Sequence, residues 1–238
     1  MRILVTNDDS VKAEGLKTLA HLASSYGEVF IVAPLAEQSG KSHSINIRGG
    51  FKFERYEIDL NFEAYYCDST PADCVRTTYY ALKKPFDIVL SGINNGFNLG
   101  EDIIYSGTVA AAVEAAFLKK KAIAFSAPVG KTNITEDSFT LIIDYFKSQH
   151  LFDYCNIYNV NVPDDPNGIV ITRQGRTHFF TEFVNRNNLW YQNGYHRYYL
   201  ENEVPTDVWA INNGYISITP LVVDRTNYEV FKKFTNIS

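Results

Sequence analysis

Two adjacent carboxylates, Asp8 and Asp9, stand directly after a short apolar run, Ile3-Leu4-Val5, at the start of the chain. Neighbouring carboxylates repel each other, and withdrawing both from water is costly unless a cation compensates. Along a β-strand they point to opposite faces, but in a turn beyond the strand end they can converge. A divalent cation is the chemistry this pair suggests. The plainer use is that one Asp caps the following helix while the other is solvated. Two further segments offer oxygen atoms of the same hard character: the loop holding Gln38-Ser39-Gly40, and Ser91-Gly92-Ile93-Asn94-Asn95. Two carboxylates, a hydroxyl and a carboxamide oxygen suit Mg²⁺, Mn²⁺ or Ca²⁺ rather than zinc. Tyr105-Ser106-Gly107-Thr108 precedes an Ala-rich helical stretch. Its exposed N–H groups and the positive end of the helix dipole make an anion site. A cation beside such a helix start is what a phosphomonoester needs. Each piece also has a structural use: Ser39, Asn94 and Asn95 as turn residues, and Ser106 or Thr108 as helix caps. His43 reads as a loop histidine, and no Ser/His/Asp triad, GxGxxG or P-loop pattern is present.

These segments need strands that end together. Ile3–Val5, Glu28–Ala33, Phe86–Leu90 and Ala122–Ser126 read as buried strands, with helices over 13–25, from Thr70 to about Leu82, over 108–120 and over 136–150. Strand, helix and strand within the first 33 residues form a βαβ unit, hence a right-handed crossover and a parallel sheet. In such sheets ligands bind outside the carboxyl ends of the strands. Thr70-Pro71-Ala72-Asp73 is a helix start with a cap, a proline at the first helical position and an acid in the first turn. Weaker strands are expected at 51–59 and 65–67, and the segment from Ser91 to Gly100 reads as turns.

Beyond about residue 150 the chain is more irregular and aromatic, with strands expected at 157–162, 168–172 and 215–219 and a closing helix at 227–234. Two β-rich runs between Phe179 and Tyr199 flank Gln192-Asn193-Gly194, which reads as the turn of a hairpin. The expectation is an α/β, Rossmann-like three-layer fold with a mostly parallel sheet. Residues 1–150 form the metal- and phosphate-binding core, and 151–238 a β-rich C-terminal extension for oligomerisation, within one compact domain.

The 238 residues suffice for a large core, and an aromatic share of 14% argues against disorder. A formal net charge of −5 argues against a basic surface that holds nucleic acid in a stable complex. Cys67, Cys74 and Cys155 are odd in number and fit no zinc spacing, so they read as reduced thiols. No apolar run approaches the ~18 residues of a membrane span. With no signal-peptide pattern either, the cytoplasm is the expected compartment.

Seven segments together resemble the SurE family of stationary-phase survival proteins: Arg2–Asp9, Gln38–Gly40, Thr70–Val75, Ser91–Asn94, Asn98–Gly100, Tyr105–Val109 and Gly214–Leu221. The resemblance follows the family's order over nearly the whole chain. It implies a Rossmann-like core, one divalent metal ion per subunit and hydrolysis of nucleoside 5′- and 3′-monophosphates, with trimming of short polyphosphate in some members. It also implies a homodimer or homotetramer built through an exchanged C-terminal segment and a protruding hairpin. Carried over by position, the metal ligands fall on Asp8, Asp9, Ser39 and Asn94, with Asp8 and Asp9 catalytic. The phosphate-binding residues fall on Asn98, Ser106, Gly107 and Thr108. Ser10 and Ser69 stand where the family usually has Gly, which strains them if those turns need positive φ. Tyr105, Phe179 or Tyr195 offers a face on which a base can stack. The competing reading is a non-catalytic nucleotide- or metal-binding regulator on the same scaffold.

Overall fold

The computed structural model describes residues 1–58, 60–132, 134–198 and 205–235. In chain order the elements are β1 (Arg2–Thr6), α1 (Glu14–Ser24), β2 (Glu28–Pro34), β3 (Phe53–Arg55), β4 (Glu63–Cys67), α2 (Pro71–Thr77), β5 (Ile88–Asn95), α3 (Gly107–Phe117), β6 (Lys121–Ala127) and α4 (Glu136–Ser148). Then follow β7 (Ile157–Asn161), β8 (Ile169–Ile171), β9 (Thr177–Arg186), β10 (Leu189–Tyr198), α5 (Asp207–Asn212), β11 (Ile216–Pro220) and α6 (Tyr228–Thr235). Nine strands form one sheet in the order β3-β4-β2-β1-β5-β6-β7-β11-β8. Its centre is parallel, and β11 runs antiparallel to β7 and β3 to β4.

Alternation along β1 assigns the two faces. Ile3 and Val5 join the cluster under α1 and α4, which includes Leu16, Leu19, Phe139 and Ile142. Leu4 joins Val75, Val89, Val109, Ala111 and Ala115 under α2 and α3. Both faces of the strand are therefore dry, which is why its sequence is continuously apolar. The small side chains of α3 let it lie close to the sheet, and eight of its residues are buried. These are the three layers expected of the α/β fold.

Several local expectations need correction. The segment after Leu90 continues as strand to Asn95, interrupted by a register shift between Ser91 and Asn94 against β6. Gly92 sits in the shift at φ 137, with no room for a Cβ, which would come 2.4 Å from the Phe125 carbonyl oxygen. The hairpin exists, but its turn is Asn187-Asn188, both at positive φ (54 and 60), while Gly194 pairs with Thr181 inside the ladder. Two left-handed residues give the twist a two-residue hairpin needs, and Asn tolerates that region. The strand expected over 51–59 shortens to β3, and position 59 lies outside the described residues, as does Tyr199. The helix capped by Thr70 passes into a π-helical turn at Thr78–Leu82. The six-residue α5, capped by Thr206, was not anticipated. No helix among the described residues is long and apolar enough to cross a membrane.

Candidate active site

The turn after β1 is built by Asn7. Its Nδ2 donates to the Ser10 carbonyl oxygen at 3.0 Å and its Oδ1 accepts the Ser10 N–H at 3.3 Å. This closure turns both following carboxylates out beyond the sheet edge. It also holds Ser10 at φ 118, a conformation that favours glycine, whereas Ser69 is not among the positive-φ residues and donates its hydroxyl to Asp73. Replacing Ser10 with Gly is expected to stabilise the fold by about 1 kcal/mol, read as a rise in the denaturant midpoint with an unchanged slope. A fall in stability would show that the Ser10 side chain holds the turn.

Asp8 is buried, at 3% exposure, and Asp9 half-buried. Burial pushes the Asp8 carboxyl above its ordinary value, while the Thr108 hydroxyl and the N–H groups of Asp8, Thr108 and Gly107 pull it back. Asp9 is pushed up to about 6, chiefly by burial, then by the charges of Asp8 and Glu37, against the pull of the Asn95 N–H. That N–H donates to Asp9 Oδ2 at 3.3 Å. Two carboxylates raised in this way are a site lacking positive charge, which a cation would supply.

The first turn of α3 closes on Asp8. Ser106 caps the helix, its Oγ accepting the Val109 N–H at 3.1 Å. A Cβ at Gly107 would stand 2.8 Å from Asp8 Cβ and 2.9 Å from its Oδ2, so only glycine admits the carboxylate here. The Thr108 hydroxyl donates to Asp8 Oδ1 and lies 3.4 Å from Asn94 Oδ1. Asn94 Nδ2 donates to the Gly96 carbonyl oxygen at 2.7 Å, which fixes the amide with its oxygen toward Thr108. The neighbouring Asn95 turns away, its Oδ1 accepting the Gly130 N–H at 2.7 Å. Underneath, Gly15 of α1 lies against the Ile93 backbone; a Cβ there would come 2.2 Å from the Ile93 oxygen.

Ser39 and Asn98 are placed differently from these. The Ser39 loop is tied in by the Gln38 N–H on the Asp8 carbonyl oxygen (2.7 Å) and the Ser42 N–H on the Tyr105 carbonyl oxygen (3.0 Å). Its own hydroxyl is exposed and donates to Glu37 Oε1 at 2.7 Å. Asn98 is buried in a structural bracket. Its Nδ2 donates to Ser126 Oγ at 2.8 Å, and its carbonyl oxygen accepts from Asn159 and Asn161 at 2.8 and 3.1 Å. Sequence reasoning missed Glu37 beside Asp9. It also missed a buried partner for His43, whose Nε2 meets Glu114 Oε2 at 2.9 Å, with Arg76 on the other Glu114 oxygen at 3.0 Å. His43 and Glu114 are 71 positions apart, and no local pattern links them. Tyr105 is exposed, while the side chains of Phe179 and Tyr195 lie outside the described residues.

Among the described residues no three His, Cys, Asp or Glu side chains are placed to hold a metal ion together. The donor set is therefore two carboxylates with neutral oxygens. That set fits Mg²⁺ or Mn²⁺ with several positions left to water and phosphate, and it does not fit zinc.

The chain as a whole is similar to known proteins. The family model described as "Survival protein SurE" matches residues 3–181. A "5'-nucleotidase SurE" of Alkaliphilus metalliredigens is 38% identical over 254 residues, covering 100% of this chain and 99% of the relative. One of Legionella pneumophila is 38% identical over 248 residues, covering 100% and 97%. The crystal structure of the SurE protein from Aquifex aeolicus superposes with a TM-score of 0.79 at 35% identity over 99% of both chains. Sequence and fold thus agree, and the chain belongs to the SurE family.

Proposed function

We propose that the chain is a divalent-metal-dependent phosphomonoesterase that releases phosphate from nucleoside 5′-monophosphates, and also from 3′-monophosphates and short polyphosphate. The observation that carries this reading is the meeting of Asp8 and Asn94 at the first turn of α3, with Asp9 held beside them on the Asn95 N–H. Relatives of the same length named 5'-nucleotidase support it. When bound by Asp8, Asp9, Asn94 and the Ser39 loop, Mg²⁺ or Mn²⁺ neutralises charge on the phosphoryl oxygens. The start of α3, through the positive end of its dipole and the Ser106 hydroxyl, orients the phosphate and stabilises charge that develops in line with the leaving oxygen. Asp8 is held by Thr108 and Gly107. Asp9 is the more exposed carboxylate and accepts the proton of the attacking water.

The C-terminal arm fits a homodimer or homotetramer. α6 buries none of its residues, and Tyr228, Val230, Phe231 and Phe234 are exposed on it. An apolar helix face of this kind is stable when covered by another surface. Three free cysteines fit a reducing cytoplasm.

The test is phosphate release from 5′-AMP, 3′-AMP and tripolyphosphate by chelator-stripped protein, with Mg²⁺, Mn²⁺ or Ca²⁺ restored in turn. Release from 5′-AMP that returns with Mn²⁺ or Mg²⁺ is the expected result. Nucleotide binding without release under every metal identifies a regulator instead.

A further inference from the structure

Glu114 is the one charged side chain of α3, and it is buried there at 4% exposure. Alanine would suit this Ala-rich helix, whereas a carboxylate loses its hydration unless partners replace it. Both of its oxygens are taken by other elements: Oε2 by His43 Nε2 at 2.9 Å, and Oε1 by Arg76 of α2 at 3.0 Å. A carboxylate only accepts, so Nε2 is the donor. Burial works to raise the Glu114 carboxyl, but the bonds from His43 and Arg76 outweigh it and hold the group below its ordinary value. A buried ion pair contributes little net stability over apolar packing, so its consequence lies in which elements it ties together.

His43 belongs to the loop of Ser39. No residue from 36 to 50 is buried, so apolar packing does not hold this loop. Besides the bonds of the Gln38 and Ser42 N–H groups, the Ser42 hydroxyl donates to the Ile104 carbonyl oxygen at 2.6 Å. Farther along, the Ser44 carbonyl oxygen accepts the Thr70 hydroxyl and Asp73 Oδ2 accepts the Asn46 N–H, both at 2.8 Å. Between these ties the His43 ring stacks on Phe117, with centroids 5.7 Å apart and planes 16° from parallel, and reaches the Glu114 carboxylate. A bond to a charged acceptor is roughly twice as strong as the neutral ties on either side.

We infer that His43, through Glu114, is a positioning residue that holds the Ser39 loop beside Asp8 and Asp9 for the cation. What the loop is held for rests on the metal-dependent reading above; what holds it rests on the geometry alone. Without the tie the loop spends part of its time away from the site, and cation affinity falls in proportion to the fraction still in place.

The experiment combines amide hydrogen exchange with calorimetric titration of Mn²⁺ into chelator-stripped full-length protein, comparing His43→Ala, His43→Gln and Arg76→Ala. Each alanine variant takes one partner from Glu114 and lowers the melting temperature, but only His43→Ala also unties the loop. His43→Gln returns an N–H donor at the position of Nε2. In His43→Ala the Gln38 and Ser42 amides are expected to exchange about tenfold faster and Mn²⁺ to bind about tenfold more weakly, with both quantities within about threefold of the parent in the other two variants. Unmoved loop amides in His43→Ala overturn the inference, as does equal loosening in Arg76→Ala, the mark of general damage around Glu114. Faster exchange with unchanged Mn²⁺ affinity overturns it too, since the cation would then be indifferent to the loop. A parent that takes up no Mn²⁺ defeats the metal-dependent reading, a result separate from the exchange comparison, which is made without metal and decides by itself whether His43 holds the loop.

Discussion

Asp9→Asn is expected to abolish metal-dependent phosphate release while making the metal-free protein more stable. The two effects have one cause. Asp9 ionises against burial and against Asp8, which lifts its carboxyl from 3.8 to about 6. A folded-state value above the unfolded one means that the native state binds more protons between those limits. Stability of the chelator-treated parent is therefore fully present below pH of about 4 and declines as pH rises to about 6. Taken at face value the shift is worth about 3 kcal/mol, and partial exposure reduces this to about 1–2 kcal/mol. Asparagine keeps the shape and the contact with the Asn95 N–H but carries no charge. In chelator the variant should melt higher than the parent at neutral pH and show a shallower decline between those pH values. With Mn²⁺ present, the parent should gain stability and the variant little. Activity should fall at least about a thousandfold, since charge stabilisation at a phosphoryl centre is the dominant part of the catalysis. Retained activity, or a variant that melts lower in chelator, contradicts the assignment.

Asp207→Ala is expected to cost the fold more than any change at the site itself. Asp207 is fully buried and accepts three backbone N–H groups: Gly100 at 2.9 Å, Gly175 at 2.8 Å and Val208 at 2.8 Å. Burial raises its carboxyl and the three donors draw it back. One side chain at the start of α5 thereby pins the loop after β5 to the strand leading into the hairpin. Removing it strands buried donors at about 1–3 kcal/mol each, and partial relaxation brings the total to about 3–5 kcal/mol. For a chain of this size that is a fall in melting temperature of about 6–10 °C. A loss under about 1 kcal/mol in denaturant titration would mean that water replaces the carboxylate without penalty.

How much of this was legible follows from the range of each signal. The central strands were readable because burial on both faces leaves a continuous apolar run, as in Leu4-Val5 and Ile31-Val32. The start of α2 was readable because cap, proline and acid lie within four residues, and the Thr70 hydroxyl indeed accepts the Asp73 N–H at 3.2 Å. The pairing of Asp8 with Thr108 was not, since 100 positions separate them and either alone reads as a turn or a cap. Asp207 and Gly100 are 107 positions apart, and an isolated Thr-Asp pair before an apolar stretch says nothing of a distant loop. Gly100 is itself required by its conformation and by the neighbouring chain: it has φ 52, and a Cβ would come 2.7 Å from the Thr177 nitrogen. The hairpin was visible as composition, but its turn was misplaced because Asn-Gly outweighs Asn-Asn in any local reckoning. The ladder overrode that preference and placed Gly194 opposite Thr181.

The start of α3 faces a carboxylate that belongs to the protein, with Asp8 lodged against Gly107. An incoming phosphate dianion meets an existing negative charge at the one place where dipole and N–H groups invite it. If the chain is the metal-dependent enzyme proposed above, Coulomb repulsion at that range is expected to make the anion the second arrival, drawn in only once a cation has loaded. On the metal-dependent reading, binding is expected to be ordered, with a metal-starved molecule turning its substrate away at the threshold instead of holding it unproductively.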